Sequence, residues 1–302
     1  MRERMAPRDR IAVAPARIAA PGPPAARRPA AFTVDVEDWY QSCIDYDAPI
    51  TERVVRNTER LLGVLDEHGV HATFFVQGRV AETFPSLVRS LVAQGHEVQS
   101  HGYSHRPLHR LGPAALRDEL ARAKATVEDA AGAPVTAFRA QDFSVLAANL
   151  HVLDLLADLG FRVDSSIFPM RSRHYGIPGW RVGPHWLALP GGGRLLEVPV
   201  AVWARGRLRV PLAGGGYFRV LPRRVLAAGV AAIARERPAV VYCHPYELAT
   251  GELDAYRDRI PRATRLWQSF GRAGTARRFG ALFAAHPFGR LDAALAAWGL
   301  AP

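Results

Sequence analysis

Short uninterrupted apolar runs alternate with stretches in which apolar residues return every three or four positions. The first run, Ala30-Ala31-Phe32-Thr33-Val34, predicts a buried strand that passes straight into Asp35-Val36-Glu37-Asp38-Trp39. From Thr51, the spacing of Val54, Val55, Leu61, Leu62 and Leu65 predicts a helix that Gly69 closes. Ala72–Val76 reads as a strand stopped by Gly78, and Leu87, Val88, Leu91 and Val92 as a helix ending at Gly95. The strand Glu97–Gln99 follows, then a long helix over about 113–131 and a strand Val135–Phe138 that delivers Arg139. A helix over about 147–159 precedes Phe161-Arg162-Val163, which delivers Asp164-Ser165-Ser166. A helix over about 223–235 and the strand Ala239–Cys243, delivering His244, continue the pattern. The chain from Ala249 reads as helix, loop and helix.

Strands alternating with helices predict an α/β fold with a parallel sheet and helical crossovers. Residues 170–221 break the rhythm. They are rich in Gly, Pro, Trp and Arg and hold Gly191-Gly192-Gly193 and Gly214-Gly215-Gly216. They read as an inserted set of loops and short strands, among them Leu195–Val200. Residues 1–29 are rich in Arg, Ala and Pro and lack periodicity, which predicts a disordered tail.

With 302 residues, about half of them apolar, the chain can bury a sizeable core. Its formal charge is +11, and Lys124 is the only lysine among 39 basic residues. The arginines are dispersed rather than gathered on one helix, which argues against a nucleic-acid-binding face. Two cysteines, Cys43 and Cys243, make no disulfide framework and no paired-cysteine metal knuckle. No apolar run has the length of a membrane span or a signal peptide, so a cytoplasmic location is the expectation.

The candidate chemistry starts at Ser100-His101-Gly102-Tyr103-Ser104-His105. Two imidazoles four residues apart can both reach one divalent cation from a single turn of backbone. The chain has 11 histidines, so this pair means little by itself. It gains weight from its place. Asp35 to Asp38, His101 and His105, Arg139, Asp164 and His244 each follow a predicted strand. In barrels of alternating strands and helices the carboxyl ends of the strands face one mouth, where residues remote in sequence meet.

The order of these segments resembles the polysaccharide deacetylases of carbohydrate esterase family 4, the NodB-homology enzymes. Thr33-Val34-Asp35 is similar to the start of the first motif, whose usual form is Thr-Phe-Asp-Asp-Gly. His101 to His105 matches the second motif in spacing, and Phe138-Arg139-Ala140 the start of the third. Asp164-Ser165-Ser166 and Tyr242-Cys243-His244-Pro245 are similar to the fourth and fifth. The resemblance is nearest to a branch found with exopolysaccharide and exosortase loci. That branch is carried by Asp35-Val36-Glu37-Asp38-Trp39, Gly214 to Arg219, His244-Pro245-Tyr246-Glu247 and the C-terminal stretch through Arg290-Leu291. Residues 141 and 142 depart from the family, with Gln141-Asp142 where a proline is usual.

The resemblance implies a distorted (β/α)7-type barrel over residues 30–250, with the insert at about 170–221. A helical extension over 251–302 packs on that barrel. It also implies removal of acetyl groups from N-acetylhexosamine units of an exopolysaccharide or a lipid-linked precursor, with Zn2+ or another divalent ion such as Co2+. His101 and His105 would be ligands, with Glu37 or Asp38 as the acidic third. Glu37 shares a strand face with Asp35, whereas Asp38 has the shorter carboxylate usual in the role, and both stand as candidates. Asp35 would be the general base, paired with Arg139, and His244 the general acid, oriented by Asp164. A backbone N–H at Asp142 would serve the oxyanion. Trp180, Trp186, Trp203, Tyr217 and Phe218 are candidates for a sugar groove, and Glu197 and Glu247 for structural roles. Two other readings are carried forward: an amidase acting on a small cyclic amide or ureide, and a non-catalytic glycan-binding relative. The basic tail permits peripheral contact with a membrane polysaccharide-synthesis assembly.

Overall fold

The computed structural model of this protein describes residues 11–15, 27–172 and 175–300. Its strands are β1 (Ala12–Pro15), β2 (Ala30–Val36), β3 (Thr73–Val76), β4 (Glu97–Ser100), β5 (Ala137–Phe138) and β6 (Val163–Asp164). They continue with β7 (His185–Ala188), β8 (Arg194–Glu197), β9 (Val202–Arg205), β10 (Leu208–Pro211), β11 (Val240–Cys243) and β12 (Phe288–Gly289). The run β8-β6-β5-β4-β3-β2-β11 is parallel throughout. A single backbone hydrogen bond, from Ala201 N–H to Val240 O at 2.8 Å, spans the gap between its two ends. The result is a distorted, barrel-like α/β sheet that strand pairing leaves unclosed.

The sequence explains the central strands. All seven residues of β2 are buried. A parallel strand covered on both faces has no solvent side, so it reads as a continuous apolar run rather than an alternating one. Phe32 of β2 meets Phe279, Phe283 and Phe288 edge-on at 5.2, 5.0 and 6.1 Å. The C-terminal extension is therefore built into the barrel wall, and β12 pairs with β2 as a further parallel strand.

The helices over Arg53–Asp66, Pro85–Ala93, Pro113–Ala131 and Arg223–Ile233 lie where the three-to-four periodicity predicts them. Gly78 begins a further helix, Gly78–Thr83, instead of merely stopping β3. Two elements differ more. The segment 170–221 is not only an insertion, because β8 is a barrel strand whose Asp164–Glu197 register places it beside β6. Among the described residues, no helix lies between β6 and β8. β8 follows β7 through a tight turn at Gly191-Gly192, which hides it from a strand–helix rhythm. Within the stretch predicted as a tail, Ala12–Pro15 pairs antiparallel with β7. The rest of that stretch, apart from Ile11 and residues 27–29, lies outside the described residues. Among the described residues, no helix is long and apolar enough to cross a membrane.

Candidate active site

β4 ends at Ser100, and the loop that follows is held from three sides. Gly78 N–H bonds Gly102 O at 2.7 Å, and His101 N–H bonds Val76 O at 3.0 Å. One carboxylate oxygen of Glu119, on the long helix, accepts the N–H groups of Tyr103 and Ser104, each at 2.8 Å. Gly102 has φ +70°, and a Cβ there would lie 2.4 Å from the Gln141 amide oxygen. A side chain at the motif's second position here would be strained and would have to displace the Gln141 amide. His105 itself sits at φ 65°, an uncommon conformation for a residue with a Cβ, and the bracing of the loop sustains it.

This loop turns both imidazoles onto the acid at the end of β2. Glu37, His101 and His105 are all buried, and one ligand atom from each lies within 4.8 Å of the others. Glu37 Oε2 is 3.4 Å from His101 Nε2 and in closer contact with His105 Nε2. His101 Nδ1 is 2.9 Å from the carbonyl oxygen of Arg139. A carbonyl only accepts, so Nδ1 carries a proton and Nε2 is the nitrogen that faces Glu37. Buried Glu37 Oε2 has no partner among the described residues other than the two imidazoles that face it. Two imidazoles and a buried carboxylate oxygen that face one another fit a divalent cation with open positions for water and substrate.

Of the two acids left open by the sequence, the structure brings Glu37 to the imidazoles. Asp38 is the N-cap of the helix Trp39–Cys43. Its Oδ1 accepts from Tyr40 N–H at 3.1 Å, and its Oδ2 from Thr51 N–H at 2.9 Å and from the Thr51 hydroxyl. With both oxygens committed to backbone and hydroxyl donors, it does not join the cluster.

Asp35 is buried and pairs with the guanidinium of Arg139, which is fully buried, at 2.8 Å. The same nitrogen bonds Thr33 Oγ1 at 2.8 Å, and the other terminal nitrogen bonds Ser165 Oγ at 3.1 Å. The Arg139 side chain therefore holds Asp35 while its carbonyl orients His101.

His244 faces the cluster from the end of β11, with Nε2 3.8 Å from Glu37 Oε1. Its ring stacks on Tyr246 at 4.9 Å, and the Tyr246 hydroxyl donates to Glu37 Oε1 at 3.1 Å. Burial opposes charge on His244, but the carboxylates of Glu37 and Glu247 outweigh it and raise its pKa to about 9. Burial likewise opposes charge on His105, and Glu37 lifts it to about 9. Burial pushes the Glu37 carboxyl up, yet the surrounding histidines hold it well below the usual range.

The residue that orients His244 is Glu247, not Asp164. Glu247 Oε1 accepts from His244 Nδ1 at 2.9 Å and from the His244 backbone N–H at 3.1 Å. The signal was present in His244-Pro245-Tyr246-Glu247. An acid three residues after the turn's first position can reach back to that position's N–H, as in a capping box. Asp164 bonds the Ser166 hydroxyl and shares a side-chain hydrogen bond with Glu197, its neighbour across β8. Burial raises the pKa of Asp164, and burial followed by the Asp164 charge raises that of Glu197 well above normal. Asp164 Oδ2 and Glu197 Oε2 have no other donor among the described residues, so one proton between them satisfies both.

That pair has a consequence for stability. A carboxyl whose folded pKa is raised contributes stability that is fully present below its unfolded pKa and is lost as pH rises through the folded value. A tenfold difference in proton affinity between the folded and unfolded chains is worth about 1.4 kcal/mol. Glu197→Gln keeps the shape and a donor toward Asp164 without the ionisation. In urea unfolding, the variant's stability relative to the parent should rise between pH 5 and pH 8. A gap that does not change with pH would refute the shared proton.

The third-motif departure is accommodated by new contacts. Gln141 Nε2 donates to Arg106 O at 2.6 Å, tying this loop to the one that carries His105. Asp142 and Phe143 both have positive φ, 54° and 47°. Of the aromatic candidates for a sugar groove, Phe218 is in the core against Phe279 at 4.9 Å, whereas Tyr217 is exposed. Gly214, at φ +51°, lies where a Cβ would be 2.5 Å from the Tyr242 carbonyl oxygen. The first glycine of that triplet therefore allows close approach to the strand that presents His244. Cys43 and Cys243 are free thiols, exposed and buried respectively.

Known proteins share this arrangement in parts. The family described as polysaccharide deacetylase matches residues 31–163, and a domain of unknown function, DUF3473, matches residues 165–296. A chitooligosaccharide deacetylase of Bradyrhizobium sp. (strain ANU 289) is 42% identical over 73 residues, 24% of this chain and 33% of its own length. A peptidoglycan-N-acetylglucosamine deacetylase of Bacillus cereus is 33% identical over 75 residues, 25% of this chain and 27% of its own. This chain thus spans about a third of the length of the curated relatives it matches. A solved structure from Mycobacterium smegmatis, classed with the polysaccharide deacetylases, superposes with a TM-score of 0.53 at 26% identity, covering 85% of this chain and 87% of the other.

Proposed function

We propose that this chain, which the polysaccharide deacetylase family matches over residues 31–163, removes N-acetyl groups from N-acetylhexosamine units of an exopolysaccharide or its lipid-linked precursor. The observation that carries the reading is the convergence of Glu37, His101 and His105 between the Asp35–Arg139 pair and the His244–Glu247 pair. An acetamide is a poor electrophile with a poor leaving group. A divalent cation, Zn2+ or Co2+, bound by Glu37, His101 and His105 would polarise its carbonyl and acidify water.

The protein's own groups supply the proton transfers. Asp35, held by the Arg139 guanidinium at 2.8 Å, can accept a proton from the attacking water. The new C–O bond forms as the carbonyl π electrons move to oxygen. When the C–N bond breaks, protonated His244 gives its Nε2 proton to the departing amine, and acetate is the second product. Glu247 stabilises the imidazolium beforehand and fixes which nitrogen points inward. Tyr246 holds Glu37 at the oxygen not turned to His105.

Acetate release from N-acetylglucosamine oligomers tests the reading. Release should require added zinc and stop on chelation. A protein that holds zinc and binds the oligomers but frees no acetate would be the non-catalytic glycan binder instead.

A further inference from the structure

We infer that the helix Arg262–Ser269 docks the protein on an anionic lipid surface. None of its side chains is buried. Leu266, Trp267 and Phe270, at positions i, i+1 and i+4, are 63%, 64% and 59% exposed. A single exposed leucine is ordinary, but three large apolar groups within five residues are not. Loose packing does not explain them. Arg219 donates to the carbonyls of Gln268 and Phe270 at 2.6 and 3.2 Å, and Arg272 Nε donates to Gln268 O at 2.7 Å. Gly271, at φ +77°, turns the chain where a Cβ would be 3.0 Å from the Arg219 side chain. The apolar trio is held outward by a fixed base.

Charge names the occupant. From Arg259 to Leu291 there is no acidic residue and there are seven arginines. Arg272 and Arg278 bond internal carbonyls, while Arg259, Arg262 and Arg277 are exposed. Apolar side chains with an indole, flanked by exposed arginines, match the boundary between acyl chains and negatively charged headgroups. A second copy of this chain is a poor occupant, because a two-fold contact would set these arginines against themselves. The inference deepens the reading above, on which it rests for its purpose: it places the barrel where a lipid-linked glycan lies.

Co-sedimentation of the full chain with vesicles tests it without any turnover. The protein should pellet with phosphatidylcholine–phosphatidylglycerol vesicles, not with phosphatidylcholine alone, and high salt should weaken the binding. Leu266→Ser, Trp267→Ser and Phe270→Ser together should weaken it about tenfold or more. The same triple variant should release acetate from soluble oligomers at the parent rate. A second variant, Arg259→Glu with Arg262→Glu, should also lose vesicle binding. Parent-like pelleting by the triple variant, or indifference to phosphatidylglycerol, would overturn the inference. So would a parent that is dimeric in sedimentation equilibrium while the triple variant is monomeric. Failure of acetate release with vesicle binding intact would sink only the enzymatic reading.

Discussion

Asp35→Asn is expected to retain the metal and lose turnover by about 10²- to 10⁴-fold, the usual worth of a positioned acid or base. Asparagine offers the Arg139 guanidinium one acceptor oxygen in the same place, so the buried side chain keeps the hydrogen bond that spans 2.8 Å in the parent. It cannot accept a proton from water. The substitution also leaves Arg139 buried without a counter-charge. Breaking a buried pair costs about 3–5 kcal/mol, and the retained hydrogen bond should keep the loss below that. Circular dichroism and metal content must therefore be read beside acetate release. Folded, zinc-loaded Asp35→Asn with parent turnover would remove Asp35 from the role of base. Arg139→Met would test the partner, and its larger destabilisation would separate structural from catalytic loss less cleanly.

Glu37→Gln should do the opposite, failing to retain zinc at all. Substituting an outer partner of a ligand typically costs 10- to 100-fold in affinity, and a ligand itself should cost more than about 100-fold. Asp38→Asn, one residue away, should leave metal content unchanged, because its oxygens serve the helix cap and Thr51. Elemental analysis after dialysis distinguishes the two. Equal zinc retention in both variants, or its loss from Asp38→Asn alone, would show that the acidic ligand is misassigned.

Much of this site could be read before any coordinates, and the residues show why. Asp35 and Glu37 are two residues apart at the end of one strand, so a period of two predicts their shared face. Asp38 stayed open because strand periodicity ends where the helix begins, and only the cap geometry settles its direction. His101 and His105 were visible by spacing, yet their approach to Glu37 depends on Glu119 and Gly78, far away in sequence and silent in pattern. At Asp164 a motif position says which residue is present but not which charge faces it. Its actual neighbour is Glu197, set by the register of a strand that no described helix separates from β6. Glu247 was legible in principle, since its three-residue distance from His244 is a local feature.

The reacting parts are divided along the chain. Asp35, Glu37, His101, His105 and Arg139 all precede residue 164, whereas His244, Tyr246 and Glu247 lie in the second half. The turn that carries the latter is in turn gripped by Arg272, whose guanidinium bonds Tyr246 O at 2.7 Å from within the C-terminal extension. On the proposed roles, cation capture and proton delivery would be separable inheritances. On the same roles, a descendant that changed only the turn carrying His244 could go on gripping an ion and a sugar while no longer able to let the amine depart, turning a catalyst into a receptor by substitution alone.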